Sequence, residues 1–361
     1  MILSSLMFCT GQGWAASWQQ AASARASTEY DTNPAMDSAY RGSGIWQSSL
    51  VPSYTVTGTA SASEFNAGLA LHVARSSNKI LSQDREDPSV FLNWRRQGEK
   101  GELGISTRYD EVSTRVSELT GTGLIFADGT RASRTMSASG NRALGERSTL
   151  SVDGAYTDTS YKGGTFVDFV THSGGVSFNY AWSERSIPFI KVSYLDFAPA
   201  GSAPTNRRYN AMLGLNWKVS DQLDWIMQAG QSRNDGVGGS DSSQGGVVLQ
   251  YTGQLTRLAL NADRQVVPSG LGGFITADQV KGSWSYDMSE HGKIGVDLGW
   301  QKNQSLTDNF NRTAGTWLQR ELNSLWGMRM YYQHKISGSN GANNASSNIL
   351  GFSLAYTNPN F

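Results

Sequence analysis

The chain has 361 residues in which 30 Lys and Arg balance 30 Asp and Glu, so its charge indicates no nucleic-acid partner. Hydrophobic residues make up only 38%, against 40 glycines and 11 tryptophans, a composition that argues against a large dry core and for many strands with polar linings. Past the first residues no stretch offers the roughly 18 consecutive apolar residues of a membrane helix, so a membrane-spanning reading requires a closed barrel, the other architecture that pairs every backbone group in lipid.

The N-terminus, MILSSLMFCTGQGWAAS, is a short apolar run ending in small residues. It reads as a secretory signal over residues 1–16 with cleavage near Ala15 or Ala16, although its basic n-region is missing. Residues 17–361 then form one domain. The only cysteine, Cys9, lies in the leader, so the processed chain carries no thiol, as suits an oxidising periplasm.

A weakly alternating strand over Gln19 to Tyr30 runs into the loop DTNPAMDSAYRG. The next segment places Trp46, Leu50, Tyr54 and Val56 on one face, and Pro52, which lacks a ladder donor, predicts a bulge or irregularity. Phe65, Ala67, Leu69, Leu71 and Val73 follow on a third strand, then SSNKILSQDRED reads as a long polar loop. Val90, Leu92 and Trp94 lead to a turn at Gln97 to Lys100 and a return through Leu103, Ile105 and Tyr109. A second long loop runs from Val112 to Arg131, and its apolar patch Leu124 to Phe126 is placed to fold inward or onto a neighbour. Strands near Thr135 to Asn141 and Ser148 to Thr157 come next, then a Gly-rich loop at Lys162 to Thr165.

The clearest unit is YNAMLGLNWKVSDQLDWIMQAGQ, Tyr209 to Gln231. Tyr209, Ala211, Leu213, Leu215 and Trp217 share one parity, and after the turn Val219, Ser220, Asp221 the apolar parity restarts at Leu223, Trp225, Met227 and Ala229. This is a hairpin with one apolar and one polar face. An indole prefers one wet and one apolar side, so Trp217 and Trp225 beside the turn suit a membrane interface. Recurrence supports that reading: Trp46, Trp94, Trp182, Trp284, Trp300 and Trp326 occupy comparable strand ends.

Short turns recur near residues 61, 99, 144, 184, 220, 253, 290 and 321, with longer loops between them. The predicted fold is all-β: a transmembrane, antiparallel, up-and-down β-barrel of about eighteen strands, with sixteen as the alternative. A soluble propeller or sandwich is the competing architecture. In the last strand Leu350, Phe352, Leu354 and Tyr356 alternate, and Gly351, Leu354, Tyr356 and the terminal Phe361 resemble the signal read by the barrel-assembly machinery. Phe361 has the opposite parity to Tyr356, so either a bulge restores the phase or the tail TNPNF lies outside the strand.

The segments STEYDTNPAM, WQSSLVPSYTVTG, LSQDREDPSVFLNWRRQ, TRVSELTGTG and FNYAWSERSIPF are similar to those of a family of outer-membrane β-barrel porins found among exopolysaccharide-associated gene sets. The resemblance covers most of the processed chain. It implies a Gram-negative outer membrane, with its lipid and lipopolysaccharide, and a conduit for a secreted polysaccharide in the lumen, working with an export apparatus.

Little points to catalysis. The four histidines, His72, His172, His291 and His334, have no metal-ligand spacing, no phosphate loop is present, and no cofactor is implied. The Gly-rich pieces GVGGSDSSQGG and PSGLGGF read as flexible extracellular loops. His172 and Ser173 adjoin in THSGG, but neighbours on a strand point to opposite faces and cannot readily act as base and nucleophile. The polar parity directs Glu102, Arg108, Asp110, Arg208, Lys218, Asp224, Lys281, Asp297 and Arg329 inward, a mixed lining that suits neutral or weakly charged solutes. The leading expectation is a passive polysaccharide-secretion porin. The alternatives are a general or substrate-selective uptake porin, favoured if the loop near Leu124 to Phe126 folds inward, and, more remotely, a barrel hydrolase.

Overall fold

The computed structural model describes residues 16–39, 42, 44–121, 128–163, 166–201, 204–235, 241–304, 309–339 and 344–359. The expected leader with Cys9, the Leu124 to Phe126 patch and Phe361 lie outside these residues.

The wall begins with β1 (Ser17–Asp31), β2 (Ile45–Ala60), β3 (Ser63–Ser76), β4 (Arg85–Gln97) and β5 (Gly101–Ser113). A short helix, α1 (Thr114–Gly121), precedes β6 (Thr130–Ala143), β7 (Ser148–Lys162), β8 (Phe169–Tyr180) and β9 (Ser186–Pro199). The central hairpin is β10 (Asn206–Lys218) and β11 (Leu223–Asp235), followed by β12 (Ser242–Thr252), β13 (Thr256–Ser269) and β14 (Gly273–Ser289). The wall ends with β15 (Gly292–Gln304), β16 (Asn309–Glu321), β17 (Trp326–Ser339) and β18 (Ala345–Asn358).

Each strand pairs antiparallel with its sequence neighbours, and β1 pairs with β18 from Ala22↔Asn358 to Asp31↔Ile349, so the 18-stranded sheet closes on itself. Closure leaves no sheet edge to satisfy in lipid. The eight short connections fall where the sequence places turns, and in the central hairpin Trp217 pairs with Trp225 and Leu213 with Ala229.

The outer face is the apolar one. Leu69, Met136, Val192, Leu213, Leu298 and Leu350 all point away from the lumen and are exposed, Leu213 at 65%. In water such a belt would drive association; in hydrocarbon it is the matched surface. Trp217 and Trp225 meet edge to face at 6.1 Å near one rim, where Trp284 stacks with Tyr286 and Trp326 tilts against Tyr356. Trp94 and Trp182 lie at the same rim, while Trp46, against Tyr30 at 5.2 Å, and Trp300 lie toward the other.

Pro52 marks the local irregularity expected of it rather than a bulge: the β2–β3 ladder skips from Leu50↔Val73 to Ser53↔Ala70 without losing register, as a missing donor alone requires. Other local expectations change. SSNKILSQDRED is loop only as far as Asp84, because β4 starts at Arg85, whose charge has partners inside the barrel. The β1–β18 ladder runs unshifted to Asn358, so Thr357 and Asn358 of the TNPNF tail belong to β18, while the phase of Phe361 lies outside the described residues. PSGLGGF is no flexible loop: it is the end of β13, a turn at 270–272 with Gly272 at φ 88, and the start of β14, with Ser269 buried. In GVGGSDSSQGG, residues 242–246 belong to β12, and residues 236–240 lie outside those described.

Candidate functional site

Directly paired residues share a face of the sheet. The row Arg108, Thr135, Thr157, Thr171, Phe197 therefore projects to one side of five successive strands. That side is concave, because a cavity of about 570 Å³ is lined from it by His72 and Asp87 on β3 and β4 and, across the lumen, by Lys281 on β14 and Asn311 on β16. Register propagated around the barrel puts all nine charged residues singled out in the sequence on this lumen face.

Their contacts differ. Arg108 Nε lies 3.1 Å from Asp110, and Arg329 reaches Asp297 at 3.9 Å while its guanidinium sits 4.4 Å above the inward ring of Trp317. Glu102 meets Arg95 at 3.9 Å. Lys218 stands opposite Asp224 in the ladder but contacts Asp221 in the turn, at 3.6 Å. Lys281 lines two cavities, and Arg208 is buried. The structure thus brings together two of these residues at a time and never assembles the nine into one cluster.

Two segments narrow the lumen. The first is α1 together with Asp128 and Gly129, which lead into β6. Arg85, buried on β4, forks onto Asp87 through Nε and Nη2, both 2.9 Å, and donates Nη1 to the Gly129 carbonyl at 2.9 Å. Asp128 accepts from Ser113 Oγ at 2.7 Å and lies 3.6 Å from Arg85. Thr114 accepts from the Gly129 amide, and Arg115 donates to the Leu81 carbonyl at 2.8 Å. Farther in, Tyr161 of β7 donates to the buried Glu118 at 3.0 Å. These contacts hold α1 against the inside of the wall, with its far side on the lumen.

The second is the tip of the β13–β14 hairpin. β12 leaves β13 above Gly245↔Arg264, and β15 leaves β14 above Thr276↔Gln304, so residues 265–269 and 273–275 pair only with each other among the described residues. This free arm reaches the β7–β8 side, beyond the four intervening strands β9 to β12 of the wall, where Val167 donates its amide to the Gly270 carbonyl at 2.8 Å. Tyr161 and Phe166, stacked at 4.8 Å, receive Gly270 so closely that a Cβ there would lie 2.8 Å from both rings. Phe274 packs on Phe197 at 5.4 Å, and Phe197 on Phe169 at 5.0 Å. A second cavity of about 330 Å³ remains between α1, β6 to β8 and the arm.

Sequence reading missed Arg85, Asp87, Asp128 and Lys335. Arg85 and Asp87 carried a signal, since i and i+2 on a strand share a face, but the segment read as loop. His172 faces outward, 5.1 Å from the Tyr156 ring and 4.0 Å from Asp196, while Ser173 faces the lumen. No group of three or more His, Cys, Asp or Glu able to hold a metal ion occurs among the described residues.

The closed antiparallel wall, its apolar outer belt and its polar, partly obstructed lumen define an outer-membrane β-barrel of porin architecture, which belongs in the outer membrane of a Gram-negative bacterium. The comparison with solved structures agrees on the fold. The outer-membrane protein OpdK of Pseudomonas aeruginosa superposes with a TM-score of 0.53 at 12% identity, covering 94% of this chain and 99% of its own. Its structure with vanillate gives 0.54 at 12%, covering 94% and 98%, and Acinetobacter baumannii OccAB4 gives 0.52 at 10%, with the same coverages. No protein-family model and no curated protein matches the sequence.

Proposed function

We propose that this chain is a passive porin for small hydrated solutes, with selectivity imposed by the two segments folded into its lumen. The observation that carries this reading is the pair of obstructions, α1 on one side and the β13–β14 arm crossing to the other: a cavity of about 330 Å³ remains between them, and one of about 570 Å³ between α1 and the facing wall of β14 to β17. These volumes suit solutes of the size of single metabolites, and pockets for small ligands fall in the range of about 300–1,000 Å³. OpdK, a barrel of the same fold, was crystallised with vanillate, a small aromatic acid, which favours the same solute class here.

The polysaccharide-export expectation loses ground on the same geometry. A hydrated polymer needs a continuous open bore, and the comparisons carry no link to polysaccharide export. The small-solute alternative is therefore the reading adopted. Within it, the outward tryptophans anchor the wall at the two interfaces, and Leu354 and Tyr356 on the outer face of β18 present the strip through which the assembly machinery would dock the last strand. Solute movement is driven by its own gradient.

The test is liposome swelling with purified protein. Swelling rates should fall steeply from monosaccharides to trisaccharides, and deletion of the gene should leave surface polysaccharide unchanged. Loss of the polymer with normal small-solute uptake would restore the export reading.

A further inference from the structure

Among the described residues, the lumen holds a buried cation whose surroundings leave both of its terminal nitrogens unpartnered. Arg208, on β10 near the loop end of the wall, is 2% exposed. Its Nε donates to Ser232 Oγ and to Asn210 Oδ1 at 3.1 Å, and Asn210 is itself held by its amide on Ser193 Oγ at 3.1 Å. Both terminal nitrogens, Nη1 and Nη2, have no hydrogen-bond partner among the described residues. Among the described residues no carboxylate pairs with it. What covers it is the ring of Phe274, 5.7 Å from the guanidinium carbon, carried on the free arm.

A buried guanidinium with four of its five N–H donors idle is costly, and a cation–π contact recovers only part of that cost. The remaining contacts are well made, so the side chain is aimed and fixed while its outer fork is left open. The cover is also built to leave. Among the described residues the arm has no strand neighbour on either side above Gly245 and Thr276, and it meets the far wall through one backbone hydrogen bond and the aromatic seat formed by Tyr161, Phe166, Phe169 and Phe197. At its base Arg264 and Asp278 join the two strands by a bidentate pair of 2.5 and 2.7 Å, so the tip can swing without the strands separating.

We propose that the β13–β14 arm is a displaceable lid and that Arg208 beneath it is the recognition group for a small aromatic carboxylate. This deepens the porin reading and rests on it. When Phe274 withdraws, it vacates a slot bounded by Phe197, which is fully buried, and by the guanidinium fork. A flat ring takes the place of the Phe274 ring against Phe197, and its carboxylate meets Nη1 and Nη2 in the bidentate geometry that guanidinium favours. The anion thus completes Arg208 only in the lifted state, and this differential contact is what lets a ligand shift the lid equilibrium. A neutral aromatic fills the slot but leaves the charge unmatched, and a cation is repelled.

The experiment uses the full-length protein in planar bilayers, with benzoate as probe and benzyl alcohol as its neutral analogue. Benzoate should modulate the current of the wild-type channel with a defined half-effect concentration, and benzyl alcohol should not. Arg208→Gln should raise that concentration tenfold or more, with Arg208→Lys intermediate because an ammonium cannot fork. A second variant, Phe166→Cys with Gly270→Cys, keeps Arg208 and tethers the tip: the benzoate response should vanish when it is oxidised and return on reduction. A benzoate response unchanged in Arg208→Gln, or undiminished in the oxidised tether, overturns the proposal. A wild-type channel that conducts but ignores benzoate overturns the lid site and leaves the channel standing, whereas inserted protein that carries no current overturns both.

Discussion

Arg85 is the most consequential single side chain for the shape of the lumen. Replacing it with Met removes a bidentate pair to Asp87, a hydrogen bond to the Gly129 carbonyl and the 3.6 Å contact to Asp128, and leaves two carboxylates in a largely buried site, Asp87 with His72 at 3.6 Å and Asp128 with the Ser113 hydroxyl and the Gln83 amide. Removing one partner of a buried pair costs about 3–5 kcal/mol. The wall itself is cross-linked by eighteen ladders, so the loss falls on the docking of α1 with Asp128 and Gly129. At 1.4 kcal/mol per decade, the docked fraction relative to the released one drops by roughly a hundredfold to a few thousandfold. The segment from Thr114 to Thr130 should become sensitive to protease added outside intact cells, and single-channel conductance should rise with added noise. Arg85→Met combined with Asp87→Leu should recover most of the docking, because removing both charges relieves the unpaired carboxylate. Unaltered conductance and protease resistance in the single variant would refute the claim that this ion cluster holds the constriction.

Other outcomes follow from individual contacts. Tyr161→Phe removes one hydrogen bond to the buried Glu118, worth about 1.5–3 kcal/mol for a charged acceptor, and should lengthen noisy open states without lowering the yield of folded barrel. A Cβ on Gly351 would lie 2.2 Å from Tyr331 Cζ, so Gly351→Ala should cut the heat-modifiable folded fraction on gels, and adding Tyr331→Ala should restore it. His172→Ala should leave conductance unchanged and abolish no hydrolytic activity toward lipid or glycan esters, since the ring faces away from Ser173; loss of such an activity would revive the enzyme reading.

The wall was legible because lipid enforces a strict rule. Every second residue must be apolar over the membrane depth, so the phases of Leu213 with Ala229 and of Leu350 with Tyr356 appear in the sequence as they do in the ladder. Turn positions followed from the places where that alternation breaks. The lumen obeys no such rule. Its polar face tolerates almost any residue, and what matters there is which side chains meet across strands remote in order, as Tyr161 meets Glu118 and Phe274 meets Arg208. PSGLGGF misled for a related reason. Glycine marks both a loose loop and a place where the backbone approaches something closely, and only the rings of Tyr161 and Phe166 against Gly270 tell the two apart. Parity could find Arg208; it could not show that the residue is covered.

The charge of the larger cavity leads to one further expectation. Glu29, Asp31, Asp87 and Asp128 face Arg85, Arg115, Lys281 and Lys335, a formal balance with His72 neutral. The acids and Arg85 are held by named contacts: Glu29 accepts from the Tyr331 hydroxyl at 2.6 Å and Asp31 caps the Asn33 amide at 2.9 Å. Lys281 and Lys335 sit instead in one cross-strand row, Lys281, Gly299, Thr313, Lys335. Three strand spacings separate them by about 14 Å, so each presents its charge to the solution independently. A wild-type channel should then show a reversal potential near zero in a KCl gradient. Lys281→Gln with Lys335→Gln strips two cations from the balance and should make the pore prefer cations at about 0.1 M salt, where the screening length is about 10 Å, and lose that preference at about 1 M, where it is about 3 Å. If the double variant keeps the wild-type reversal potential at low salt, these lysines do not face the permeation path, and the path must run on the other side of α1.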